Sequence, residues 1–306
     1  MEYICFECGK IYIDSSDMLC DNRNCNGSML HPRSDAEVKT PPKDPQLKGE
    51  NGLGIIAMDF SGSMDYIAFP NQLEYKFSKI QIVALALKTS IPKMKQMSNA
   101  DNAYLILIGF TNTAKVLEVF KVSDIPNDST KWDTFFTTGV ENFRVENNTG
   151  TNVTSALQLM REIYDNALLG KLEKYGISNF KPMYQDIIIK GKNYKVANVR
   201  AFIYSDGQHC VGNFDNHFEG ASLIPGDTNI SGLTSAYLGH AEDPGFDTML
   251  LIAGTCPRHN VKAVISVDNT KTYEYLRDLF HMTSATSGFC TECAKESKAI
   301  SSGGAR

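Results

Sequence analysis

Three short stretches of this 306-residue chain gather oxygen-bearing side chains at places where a backbone turns. The first is Asp59-Phe60-Ser61-Gly62-Ser63, directly after the apolar run 53–58. Asp59 offers a hard anionic oxygen, and Ser61 and Ser63 offer neutral hydroxyl oxygens. Hard oxygens around one small ion suit Mg²⁺ or Mn²⁺, and Mg²⁺ takes six ligands in a near-octahedral array while keeping several waters. Gly62 is expected to turn the backbone so that both hydroxyls face one point. The second stretch, Thr149-Gly150-Thr151, precedes a helical pattern, and the third, Ser205-Asp206-Gly207, ends another apolar run. Ser, Thr, Asp and Gly are also what ordinary turns use. One Asp-x-Ser-x-Ser is therefore weak evidence, whereas three such loops in order, each at a strand end or a helix start, make a site of Asp59, Ser61, Ser63, Thr151 and Asp206. Thr149 competes with Thr151 for the hydroxyl position. The site is expected on exposed loops, where replacing Asp59 would leave the fold intact.

A second chemistry lies in the cysteines. Cys5-x2-Cys8 and Cys20-x4-Cys25 offer four thiolates on two short knuckles, with room for a hairpin at 10–19 between them. Tetrahedral Zn²⁺ accepts four cysteines, and a segment this small needs the metal to fold. Two disulfides or free thiols are the competing readings. Cys256-Pro-Arg-His259 and Cys290-Thr-Glu-Cys293 pair a C-x2-H with a C-x2-C. They could meet as a second Zn²⁺ site, or be a core cysteine, a surface histidine and an incidental tail. His209 and Cys210, just past Asp206, resemble a nucleophile with its base only by adjacency, which does not place side chains in contact.

These loops need a frame that brings strand ends together. Apolar runs at 53–58, 103–110, 199–204, 235–238 and 263–267 read as strands. Between them, 77–97 has helical spacing with Ile80, Val83, Leu87 and Ile91 on one stripe and Pro92 as a kink or stop. Residues 154–169 carry Ala156, Leu159, Met160, Ile163 and Ala167 on one side, and 246–253 and 273–282 are further helices. Residues 186–196 suggest an inserted hairpin. Strands alternating with helices predict an α/β domain with a mostly parallel central sheet flanked by helices. In such sheets, ligands bind beyond the carboxyl ends of the strands, where all three loops fall. The expected organisation is a small N-terminal zinc ribbon at 1–33, a Pro- and Lys-containing linker at 34–51, the main domain at 52–285 and a tail with its C-x2-C at 286–306.

The net charge of −5 argues against a strongly basic nucleic-acid surface, leaving only a local patch open. The opening residues lack a basic and apolar leader, and no apolar run approaches the ~20 residues of a membrane helix, so a cytoplasmic chain is expected. There is no Gly-x-x-x-x-Gly-Lys phosphate loop and no His-Glu-x-x-His. With no base paired to the metal site, the expectation is a binding protein, not an enzyme.

The Asp-x-Ser-x-Ser loop, the Gly-Thr turn before a helix and the Ser-Asp-Gly turn resemble the metal-ion-dependent adhesion site (MIDAS) of the von Willebrand factor A-type (VWA), or integrin I-type, domain. The likeness spans roughly residues 52–285. It implies that Ser61, Ser63 and one Thr coordinate directly, that Asp59 and Asp206 act mainly through water, and that one position stays open for a carboxylate from a protein partner; bound to metal in that way, both acids are expected to stay ionised and to be poor general acids. The Cys-Pro-Arg-His segment and the Gly-Phe-Cys-Thr-Glu-Cys ending are similar to the TerY-like group found with tellurite-resistance and related bacterial stress systems. That likeness implies an adaptor beside kinase, phosphatase or ATPase partners, although the N-terminal ribbon departs from it. A VWA domain with a zinc ribbon also resembles a subunit of the TFIIH transcription and repair complex, an alternative in which the ribbon meets nucleic acid. Lys10, Arg23 and Arg33 stand there against Glu2, Glu7, Asp14, Asp17 and Asp21, a poor balance for phosphate contacts.

Overall fold

A computed structural model describes residues 2–4, 11–13, 31–32, 50–68, 77–95, 99–189, 192–221, 233–237, 244–256 and 261–266. The chain divides into two compact units, and Gly49–Thr291 is the larger. In the N-terminal unit, strands β1 (Glu2–Ile4), β2 (Ile11–Ile13) and β3 (His31–Pro32) form an antiparallel sheet in the order β2-β1-β3. The β1/β2 pairing brackets the first cysteine pair instead of lying between the two pairs. β-prone Tyr3 and Ile4 face Tyr12 and Ile11 in its register. Cys5, Cys8, Cys20 and Cys25 lie outside the described residues, and so do His259, Cys290, Cys293 and the expected helix at 273–282.

The larger unit is built around β4 (Gly52–Asp59), whose eight residues are all buried. A strand covered on both faces reads as a continuous apolar run, and each fully buried Ile or Leu contributes ~1.5–3 kcal/mol by leaving water. Helix α1 (Lys79–Lys95) follows and contains Pro92. Proline removes one backbone donor, but the helix continues to Lys95, so Pro92 does not end it. Strand β5 (Ala103–Phe110) pairs parallel with β4 in register. The chain then turns at Thr111–Thr113 into β6 (Ala114–Lys121), an antiparallel edge strand absent from the sequence reading.

Two short helices, α2 (Ser129–Thr134) and α3 (Val140–Asn147), flank a π-helical stretch at Phe135–Gly139. Their apolar residues Trp132, Phe136, Val140 and Phe143 are buried. Helix α4 (Val153–Leu168) is capped by the Asn152 side chain, which accepts from the Ser155 amide. It lies against β4, β5, β6 and β9 (Val199–Ser205). Its buried face runs through Val153, Ala156, Leu157, Met160, Ile163, Tyr164 and Ala167. Leu157 and Tyr164 thus replace the expected Leu159, which is only half-buried. The hairpin of β7 (Tyr184–Ile189) and β8 (Lys192–Ala197) matches expectation, and β10 (Leu233–Tyr237), α5 (Pro244–Ile252) and β11 (Val264–Ser266) complete the described elements.

The main sheet runs β11-β10-β9-β4-β5-β6, parallel throughout except for β6. From β4 the chain builds outward to β5 on one side and later returns to place β9 on the other. The strand order therefore reverses between β4 and β9, the place beyond the carboxyl ends where sheets of this kind form a ligand crevice. Asp59 closes β4 and Ser205 closes β9 at that crevice, with Met58 opposite Tyr204 in the register.

Candidate metal centre at the carboxyl edge of the sheet

Asp59 is fully buried, and both its oxygens are engaged. Its Oδ1 accepts from the Ser61 amide at 2.8 Å, and its Oδ2 accepts from the Ser205 hydroxyl at 2.6 Å. The Ser205 hydroxyl in turn accepts from the Gly207 amide at 2.9 Å, locking the β9 exit. The Asp59 carboxyl therefore ties the loop after β4 to the loop after β9. The Ser61 and Ser63 hydroxyls lie 3.1 Å apart, within hydrogen-bond reach of each other. The turn that brings them together is a short 3-10 helix, Gly62–Asp65. Gly62 is not what permits it, because a methyl group there would meet only ordinary contacts at 3.7 Å.

The third loop is pinned to both others. The Gly62 amide donates to the Thr149 carbonyl at 3.0 Å. The Cys210 amide donates to the Thr151 carbonyl at 2.9 Å, and the Thr151 amide donates to the Cys210 sulfur at 3.2 Å. Thr151 is buried and Thr149 is exposed. The His209 Nδ1 accepts from the Val153 amide at 3.2 Å, which fixes its Nε2 as the protonated nitrogen facing the Gly212 carbonyl. His209 and Cys210 thus hold the start of α4, His209 through the Val153 amide and Cys210 through the Thr151 amide.

Asp206 is 1% exposed. Its Oδ2 accepts from the Lys79 ammonium at 2.9 Å, while its Oδ1 is buried and has no hydrogen-bond partner among the described residues. Burial and the negative charge of Asp206 push the Asp59 carboxyl up from the usual 3.8 to about 7, against hydrogen bonds from Ser205 and Ser61 that pull it down. Two buried carboxylates at one crevice repel each other, and a cation between them relieves that repulsion. The expectation of exposed loops is therefore corrected. Asp59, Ser61, Thr151 and Asp206 are all buried, because strand ends packed at a switch point are covered by the loops that follow them. Replacing Asp59 disturbs the fold as well as the site.

Two residues of the site escaped the sequence reading. Arg144 donates from Nε to the Phe60 carbonyl at 2.5 Å and from one terminal nitrogen to the Ser61 carbonyl at 2.9 Å. It also forms a two-pronged pair with Asp65 at 2.7 and 3.1 Å. It clamps the loop that presents Ser61 and Ser63 from a helix not recognised in the sequence. Lys79 is the other. Its only sequence signal is a basic residue opening a helix, where a cation is disfavoured by the dipole.

The donor types fit a hard divalent ion: two carboxylates, one with an oxygen that has no hydrogen-bond partner among the described residues, and three hydroxyls. It is poor in soft ligands, and among the described residues no group of three or more His, Cys, Asp and Glu converges on one point. Cys256 is buried at the amino end of the sheet, where its amide bonds the Val261 carbonyl.

No family model and no curated protein matches the sequence. Among solved structures, a von Willebrand factor type A protein from Catenulispora acidiphila aligns at 18% identity with a TM-score of 0.41, over 76% of this chain and 43% of that one. The conserved hypothetical protein BatB from Bacteroides thetaiotaomicron aligns at 14% identity and 0.41, over 80% of this chain and 100% of that one. The pilus adhesin SpaC from Lactobacillus rhamnosus GG aligns at 11% and 0.43, over 81% of this chain and 30% of that one. This chain thus spans less than half of the first and third of these structures. What the site does has to be read from its own residues.

Proposed function

We propose that the crevice between β4 and β9 holds Mg²⁺ or Mn²⁺ on Asp59, Ser61, Ser63, Thr151 and Asp206, as a VWA-type adhesion site, and that the protein uses the ion to bind a partner protein through a carboxylate. The observation that carries this reading is the pair of buried acids at one switch point, with Asp206 Oδ1 lacking a partner among the described residues. An anionic oxygen taken out of water without a donor is costly, and a divalent ion, directly or through its water, supplies what it lacks. The site is built to hold an ion and not to transfer protons. Each Asp59 oxygen accepts one hydrogen bond that ties the loops together and keeps a second lone pair for the ion or its water. With two carboxylates against a divalent ion and Lys79 nearby, a partner's Glu or Asp adds the charge that completes the ligand shell.

On this reading the chain is an adaptor, in an intracellular bacterial stress-response, signalling or defence system of the TerY-like kind, with kinase, phosphatase or ATPase components as partners. On the same reading the N-terminal cysteines Cys5, Cys8, Cys20 and Cys25 hold a structural Zn²⁺. Affinity capture from the host lysate tests the interaction. Wild-type protein in Mg²⁺ should retain partners that EDTA releases, and a Ser63→Ala/Thr151→Val double variant should not retain them. Capture that is indifferent to EDTA and to both substitutions would place the partner surface elsewhere.

A further inference from the structure

We infer that Lys79 is a tethered cation that competes with the divalent ion for Asp206, so that metal enters the site only as the ammonium leaves. The inference rests on the metal reading above and adds a regulator to it. Lys79 Nζ sits 2.9 Å from Asp206 Oδ2, with side-chain exposures of 12% and 1%. The ammonium is thus drawn into a nearly closed crevice, onto one of the oxygens a metal would use.

The placement runs against local preference. Lys79 is the first residue of the 17-residue helix α1, whose first turn holds no acidic residue. The positive end of the helix dipole disfavours a cation there. Asp206, 127 residues away in sequence, supplies what offsets that cost. The Lys79 backbone is fixed separately, by its amide donating to the Tyr66 carbonyl at 3.1 Å. Only the flexible four-carbon stem has to move for the ammonium to depart, and α1 can stay in place.

Charge makes the two occupants exclusive. A divalent ion bound to Asp206, directly or through water, would lie within a few ångströms of an ammonium on the same carboxylate, where water screens poorly. Metal binding therefore has to expel the Lys79 head, and the affinity of the free protein is lowered by the strength of that ion pair. A released ammonium at the rim also adds a positive contact for an incoming carboxylate, coupling metal loading to partner binding.

The opposite role, with Lys79 holding Asp206 in place for the metal, makes the opposite prediction. Mn²⁺ titrations of the full chain by calorimetry, on wild type, Lys79→Met and Lys79→Arg, separate the two. Competition predicts that Lys79→Met binds Mn²⁺ about tenfold tighter or more, and that Lys79→Arg stays near wild type, because it keeps the competing charge. Equal or weaker binding by Lys79→Met overturns the inference while leaving the metal site standing. If neither protein binds Mn²⁺, the metal reading itself falls and takes the inference with it. Should Lys79→Met fail to fold, the wild-type chain still decides. The Lys79 ammonium signal in a proton–nitrogen correlation spectrum should move to the free-lysine position on adding Mg²⁺, and a signal that stays at its hydrogen-bonded position overturns the inference.

Discussion

Burial in the crevice gives the Asp59 carboxyl a pH signature of its own. Its value rises from the usual 3.8 to about 7, first through burial and then through the charge of Asp206. A carboxyl whose folded value lies above its unfolded value binds more protons folded than unfolded. That contribution to stability is complete below about pH 4 and is lost as pH rises through about 7. In EDTA, thermal and denaturant unfolding should show stability falling from pH 4 to 7.5, by on the order of a few kcal/mol. Saturating Mg²⁺ should flatten the slope, because the ion favours the ionised carboxylates, and Asp59→Asn should remove it. A metal-free protein equally stable across that range would contradict this account of Asp59. Asp59, Ser61, Ser63 and Asp206 were legible in the sequence because they are small polar residues ending apolar runs, a local signal. Lys79 was not, since its partner lies 127 residues away and its own position argues against a cation.

At the scale of elements, β4, β5 and β9 announce themselves as continuous apolar runs, and α4 by its amphipathic period. Strand β6 does not, because an antiparallel edge strand is half-covered and its burial pattern is mostly intermediate. The stretch through α2, the π-helical residues and α3 breaks the helical period midway, which hides it from any search for a single repeat. Arg144 falls in that hidden stretch, yet it clamps the loop after β4 through Phe60, Ser61 and Asp65. Arg144→Ala should therefore lower stability by ~1–3 kcal/mol and weaken Mg²⁺ binding together, since it frees two loop carbonyls and a charged pair. Arg144→Lys should rescue little, because an ammonium cannot serve the carbonyls and the carboxylate at once. Unchanged metal affinity in Arg144→Ala would leave the clamp purely structural. A second element-scale contact is the approach of α5 to the β9 exit. Gly207 has φ of +68°, and a methyl group on Gly245 would come within 2.0 Å of the Asp206 carbonyl. Gly245→Ala should force these backbones apart and cost about 2 kcal/mol or more in denaturant unfolding, and a variant as stable as wild type would refute this close approach.

For the whole molecule, the α/β class with its mostly parallel sheet followed from the alternation of strand and helix patterns. No helix among the described residues is long and apolar enough to cross a membrane. The cysteine reading makes its own prediction at this scale. The purified full chain should carry Zn²⁺, and Cys5→Ser with Cys20→Ser should remove about one equivalent. An unchanged zinc count would turn those cysteines to another role. The central claim is tested most directly by counting Mn²⁺ on the full chain by paramagnetic resonance. The account predicts one Mn²⁺ per chain, displaced by excess Mg²⁺ and lost in both Ser63→Ala and Asp206→Asn while circular dichroism shows the fold retained. Mn²⁺ that binds both variants as it binds wild type, or no bound Mn²⁺ in any of the three, would contradict it.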